Sequence, residues 1–210
     1  MCVVACTSPD IAYVDGSGTG DCSLAAPCPT IAQALGTGAV GISVHGSIDE
    51  RVVIDRSVYV VGPALLVRSD ASGPVVTIRG ASVQIASLTI VAKPGQGAVF
   101  AAPSSASTAS ISDSEVIGGS VEMSVGSLAI NGSRFVSASV SAIRDTTLVI
   151  YGNTLLYSRL VVRVKPSAHD LASRNVLIDS SIDCVAGPEF SVADNVLAGN
   201  SAITGTCGVQ

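Results

Sequence analysis

Five times in the second half of the chain the same three-point pattern returns: Ile111-x-x-Ser114-x-Val116, Ile130-x-x-Ser133-x-Phe135, Ile150-x-x-Asn153-x-Leu155, Ala172-x-x-Asn175-x-Leu177 and Val192-x-x-Asn195-x-Leu197. The final apolar residues lie 19, 20, 22 and 20 positions apart. A fixed period near 20 with strand-like composition marks a β-solenoid, in which each repeat is one coil. Each repeat buries its apolar side only against its neighbours. Two apolar residues five apart face inward on either side of a bend, and the Ser or Asn between them occupies the bend. Ser114, Ser133, Asn153, Asn175 and Asn195 are then expected to stack, one rung per coil, about 4.8 Å apart. Stacked Asn side chains can hydrogen-bond along such a column, and Asn tolerates a left-handed backbone.

The composition fits tight-turned β structure. Of the 210 residues, 48% are apolar and 13% charged, and there is no Trp. The charged share is about half that of an ordinary globular domain. No apolar run reaches the roughly 18 residues of a membrane helix. The net charge is −5, and the 11 Lys and Arg form no basic stripe, so no nucleic-acid partner is expected.

Upstream, Ile54-x-x-Ser57-x-Tyr59 and Ile85-x-x-Leu88-x-Ile90 fit the same spacing, which predicts that Tyr59 points inward. Their separations are longer, 31 and 26, so loops are expected at residues 62–73 and 93–107. Further strands are predicted near residues 42–44, 51–61, 75–78, 83–91, 121–125, 140–143, 160–164 and 182–186. Thr30 can cap a short helix that Gly36 ends, with Ile31, Ala34 and Leu35 on one face. Such a helix would cover the open edge of the first coil.

There are six cysteines. Cys22 and Cys28 bracket a short loop, and Cys184 and Cys207 flank the last coil. Two local disulfides fit an oxidising compartment. The alternative is reduced buried thiols, since the spacings match no zinc pattern. Val3-Val4-Ala5-Cys6 resembles the end of a bacterial lipoprotein signal, in which a small residue precedes the acylated Cys. On that reading residues 1–8 are a remnant of signal and linker, Cys6 is the lipid attachment, and residues 9–210 form one domain. The competing reading is a Cys2–Cys6 bridge or two free thiols. The protein is expected outside the cell or on its surface.

The segment Tyr13-Val14-Asp15-Gly16-Ser17-Gly18-Thr19-Gly20-Asp21, followed by Ala26-Pro27-Cys28-Pro29-Thr30-Ile31 and Ala34, is similar to the opening of bacterial secreted right-handed parallel β-helix proteins of the pectin lyase-like group. Val44-x-Gly46-x-x-x-Glu50-x-Val52-x-Ile54, ending at Val61-Gly62, resembles the segment that follows in that group. Where the group usually has Gly-x-Tyr, this chain has Gly46-Ser47-Ile48. The resemblance implies an all-β fold: a single right-handed parallel β-helix of about seven or eight coils with a short capping helix. The group contains lyases, hydrolases, epimerases and adhesins, so the resemblance leaves the activity open.

Neither catalytic signature of that group is present. Its lyases hold calcium in an acidic cluster beside an Arg or Lys base, and its hydrolases need paired carboxylates. Here Asp113, Asp145, Asp170, Asp179, Asp183 and Asp194 are scattered. No catalytic residue, cofactor or metal is assigned. Asp15, Ser17, Thr19 and Asp21 alternate with glycines as in a calcium loop, but Ala26 stands where an EF-hand needs an acid. His169-Asp170 reads as a loop after Pro166, and His45 as a rim residue.

Arg159, Arg163, Lys165 and Asp183 are the candidate ligand-binding residues, a cationic spot for an anionic glycan. The competing reading is a solvated face with Arg163 paired to Asp183 or Glu122. Seven aromatics offer few sugar platforms, Tyr151 and Tyr157 being the one clustered pair. Leu156, Val176, Ile178 and Val196 form a candidate outward apolar stripe for a partner. The expected function is a non-catalytic binding or structural module at a bacterial surface, with a polysaccharide, a surface protein or a second copy as partner. The alternative is a small polysaccharide lyase or hydrolase. A third reading is a piece of a larger adhesin.

Overall fold

A computed structural model describes residues 10–70, 72–103, 106–164, 171–185 and 190–209. Strands of successive coils pair in parallel, and the chain winds into a β-solenoid of about seven turns. Each coil has three faces. The first face runs from Ile11–Asp15 through the leading parts of Gly41–Asp49, Val58–Val67 and Ser82–Val91, then Ser107–Ser112. It continues through the trailing parts of Ser120–Asn131 and Ser139–Tyr151 to Leu171–Ser173, Ser191–Ala193 and Gly208–Val209. The second face comprises the trailing parts of the three early long strands, then Glu115–Ile117, Arg134–Val136, Thr154–Leu156, Val176–Ile178 and Val196–Ala198. The third face carries Val52–Ile54, Val76–Ile78, Gly97–Ala101 and the leading parts of Ser120–Asn131 and Ser139–Tyr151. Arg159–Val164, Ser181–Cys184 and Ala202–Gly205 complete it.

Strand alternation puts one column of Ile, Val and Leu per face into the core. The anchors Ile111, Ile130, Ile150, Ala172 and Val192 are buried, as are Val116, Phe135, Leu155 and Leu177. Leu197, the last of the second column, is 45% exposed.

The predicted ladder stands at the corner between the first and second faces. The Ser133 amide donates to Asn153 Oδ1 (2.8 Å), the Asn153 amide to Asn175 Oδ1 (3.0 Å) and the Asn175 amide to Asn195 Oδ1 (3.0 Å). Asn153 Nδ2 donates to Asn175 Oδ1 (3.1 Å) and to the Ile130 carbonyl (2.9 Å). Ser133 and Ser114 continue the column with their hydroxyls, accepting from the Ser114 and Leu88 amides. The left-handed residue is not the Asn but its predecessor: Asp113, Gly132, Gly152, Arg174 and Asp194 have φ between 47° and 65°. That backbone aims the next amide along the solenoid axis, where the following rung accepts it.

A second ladder, not predicted, occupies the corner between the second and third faces. The Ala138 amide donates to Ser158 Oγ (3.1 Å), the Ser158 amide to Ser180 Oγ (2.9 Å) and the Ser180 amide to Ser201 Oγ (3.1 Å). Here too the preceding residue is left-handed at Ser137, Tyr157 and Asp179, while in the last coil the left-handed Gly199 lies two residues before Ser201.

Four expectations need correction, the first being the loops expected at 62–73 and 93–107: the strand Val58–Val67 runs well into the one, and the strand Gly97–Ala101 lies inside the other. Tyr59 is 53% exposed, and Val58 and Val60 are buried instead. Ile54 lies on the third face and Tyr59 on the first, so that match spans the wrong corner. The true anchors of this coil are Val60 and Leu66, six apart, because the strand shifts register between Val61 and Ala64. The strand expected over 51–61 is broken into Val52–Ile54 and Val58–Val67.

The helix Ile31–Gly36 forms with Thr30 as its N-cap and buries Ile31 and Ala34. Backbone partners for Tyr13 and Asp15 in the first strand come from residues 22–28 rather than from the helix. The disulfide Cys22–Cys28 closes that segment, and Cys184–Cys207 ties the third face to the chain beyond the last of its strands. Glu50 accepts the Ile31 amide at 2.5 Å. Burial pushes its carboxyl above the ordinary 4.5, against the opposing hydrogen bonds from the Ile31 and Ala32 amides. No helix of the described residues is long and apolar enough to cross a membrane.

Two predictions follow from these contacts. Asn175→Ala removes the acceptor for the buried Asn153 amide, and orphaning a buried polar group costs about 1–3 kcal/mol. The same change at Asn195, which is only partly buried, is expected to cost less in denaturant unfolding. Glu50 binds its proton more tightly folded than unfolded, so its contribution is fully present below pH 4.5 and is lost as pH rises through the raised value. The stability of Glu50→Gln relative to the unchanged protein is therefore expected to rise between about pH 4 and about pH 7, as denaturant unfolding at the two pH values would show.

Candidate binding groove

The second inserted loop builds one wall of a groove, and the first braces it. Arg68 is 7% exposed; its guanidinium pairs with Asp70 and donates to the Pro74 carbonyl (3.0 Å) and Ser72 Oγ (2.9 Å). A buried cation without such partners would be strongly destabilising, so its presence holds the loop in one shape. The second loop docks on the first: Gln96 is buried, donates through Nε2 to the Asp70 carbonyl (3.2 Å) and accepts the Lys93 amide at Oε1 (2.9 Å). Lys93 Nζ reaches the Ser69 carbonyl. Gly119 permits this packing, since a Cβ there would lie 2.4 Å from the Gln96 carbonyl oxygen.

Beyond that wall, a groove of about 460 Å³ runs over the edge between the second and third faces. Its floor and far side are Ser120, Glu122, Ser137, Ser139, Tyr157 and Arg159. Ser120, Ser139 and Arg159 are stacked partners on successive strands, so the groove follows the solenoid axis. Ser120 Oγ donates to Glu122 (2.7 Å).

Arg159 forms an ion pair with Asp183, which also accepts from Thr204. Burial raises the Asp183 carboxyl, but the hydrogen bonds from Thr204 and Arg159 and the guanidinium charge outweigh it and hold it below the ordinary range. Asp183 stands opposite Val161 in register, and Arg163 stands opposite Ile143. Arg163 is thus exposed on the third face, and its expected partner Asp183 is engaged by Arg159. The cationic spot is a neutralised pair at Arg159. Lys165, His169, Asp170 and Cys6 lie outside the described residues.

Tyr157 is the aromatic that the groove exposes. The residue is 66% exposed, and its backbone φ is 51°. A β-carbon in the left-handed region carries strain that Gly avoids. The equivalent positions hold Ser137, Asp179 and Gly199, so Tyr is the bulkiest occupant of this corner. Tyr151, expected beside it, sits on the first face under Arg174, whose guanidinium lies 5.5 Å from the ring centroid.

Leu156, Val176 and Ile178 are half-buried and alternate with the core anchors; Val196 is 58% exposed. A second concavity of about 450 Å³, which the sequence did not suggest, lies on the first face among Ile11, Val40, Tyr59 and Val61. Among the described residues no three His, Cys, Asp or Glu are placed to hold a metal ion.

Comparison with known protein families, with curated proteins and with solved structures returns no match. The family resemblance of the opening segment therefore extends no further than the solenoid fold itself.

Substituting Tyr157→Gly relieves the left-handed strain, and a gain of about 1 kcal/mol in unfolding free energy is expected. Differential scanning calorimetry of the two proteins checks it.

Proposed function

We propose that this protein is a non-catalytic binding module that acts outside the cell, and that its axial groove takes an extended glycan. The observation that carries this reading is the groove itself. It is polar, elongated along the solenoid axis, walled on one side by the turn at Pro94, Gly95 and Gln96 that buried side chains lock in place, and furnished with an exposed Tyr. Sites that bind sugars combine hydrogen-bonding side chains with an aromatic face.

The groove walls carry one carboxylate, Glu122. Glycoside hydrolysis by the usual route needs two that flank the bond. The second carboxylate nearby in register, Asp183, is held by Arg159 and Thr204. This arrangement supports binding over the lyase or hydrolase alternative. The two disulfides support an oxidising compartment, and attachment through Cys6 at a bacterial surface belongs to the same proposal.

A pull-down on a panel of insoluble neutral and acidic polysaccharides, with and without calcium, tests the reading. Retention without release of reducing ends or unsaturated products is expected. Chain cleavage would replace it with the enzymatic alternative, and no retention on any polysaccharide would refute it.

A further inference from the structure

We infer that the groove selects an uncharged pyranose chain of about three units, laid along the solenoid axis with one ring on Tyr157, and rejects uronate chains. This inference rests on the glycan-binding reading above and specifies its ligand.

The length follows from the coil geometry. The groove is lined from four successive coils: by Gln96, then Ser120 and Glu122, then Ser139, then Tyr157 and Arg159. Neighbouring coils are about 4.8 Å apart, so the groove extends over about 14 Å. One rung matches the length of one sugar unit in an extended chain. A chain parallel to the axis therefore meets one polar position per rung on the third face over three rungs, Ser120, Ser139 and then Arg159, with corner residues beside them.

The charge follows from the pairing. Among the described residues that line the groove, the charged ones are Arg159 and Glu122, and Asp183 stands beside Arg159. Arg159 already gives its charge to Asp183. What remains for a ligand is guanidinium N–H groups not engaged by Asp183, the Glu122 carboxylate and the hydroxyls of Ser137 and Ser139. These are donors and acceptors for sugar hydroxyls. A uronate would bring a further negative charge beside Glu122, and like charges repel.

The ring follows from the strain. A Tyr at φ 51° sits where Gly199 serves in the equivalent turn two coils on. Strain retained at an exposed position points to a use for the side chain. The apolar face of a pyranose covers an aromatic ring well, as aromatic stacking does generally.

Isothermal titration with uncharged trisaccharides (cellotriose, xylotriose, maltotriose, chitotriose) and with trigalacturonate and a mannuronate trimer tests this. At least one neutral trimer is expected to bind, with the uronates at least about tenfold weaker. Tyr157→Gly is expected to weaken neutral binding about fivefold to tenfold without lowering the melting temperature. Glu122→Gln is expected to narrow the discrimination against uronates. Uronate binding as tight as neutral binding, or Tyr157→Gly with unchanged affinity, overturns this inference while leaving glycan binding intact. Binding to longer polysaccharides but to no trimer overturns the stated length, and binding to no glycan of any length refutes the underlying reading as well.

Discussion

Every coil of this protein must turn at the same places, and each turn leaves a backbone amide buried and pointing along the axis. The fold depends on finding an acceptor for that amide. Asn153, Asn175 and Asn195 supply it at one corner, each Oδ1 accepting the amide of the rung before it. Ser158, Ser180 and Ser201 supply it at the next. Buried polar groups in close-packed proteins are satisfied almost without exception. Here one side-chain type, repeated, satisfies a whole column. The apolar anchors give the coil its driving force, but the ladders set where it bends.

That regularity makes the departures from it informative. The two insertions interrupt the period where the early coils meet the later ones, and they are not loose. Arg68 and Gln96 bury polar groups within them and bond them to each other. Their second effect is to raise a wall beside a surface that would otherwise be a flat parallel sheet. A groove on a solenoid needs such a wall, since stacked coils by themselves present an even face. Tyr157 is a departure of another kind, a bulky residue at a corner that favours small ones.

Much of this was readable in advance. The spacing of Ile, Asn and Leu predicted the coil, the first ladder and the inward anchors, because burial and period impose the same answer on every repeat. The cysteine pairs were also readable, one from its short loop and the other from flanking the last coil. The second ladder was legible in principle: Ser158 and Ser180 stand three residues after their anchors Leu155 and Leu177, and Ser201 four after Leu197. It was missed because serine is common in this chain and carries little signal alone. Tyr59 was misplaced because a five-residue template was laid over a coil whose anchors, Val60 and Leu66, are six apart. Which cation meets Asp183 likewise depends on the stagger between coils, and it is Arg159 rather than Arg163.

The sequence by itself determined the architecture, the axis of repetition and the chemistry of the corner that Asn marks. These depend on interactions that recur at a constant separation, so a linear pattern records them. Only the tertiary structure decided what the surface offers. The groove joins Gln96, Glu122, Ser139 and Arg159 from different coils. Arg159 chooses Asp183 across 24 residues. Lateral neighbours on a solenoid are set by coil length and stagger, and each insertion shifts both, so no periodic reading can place them.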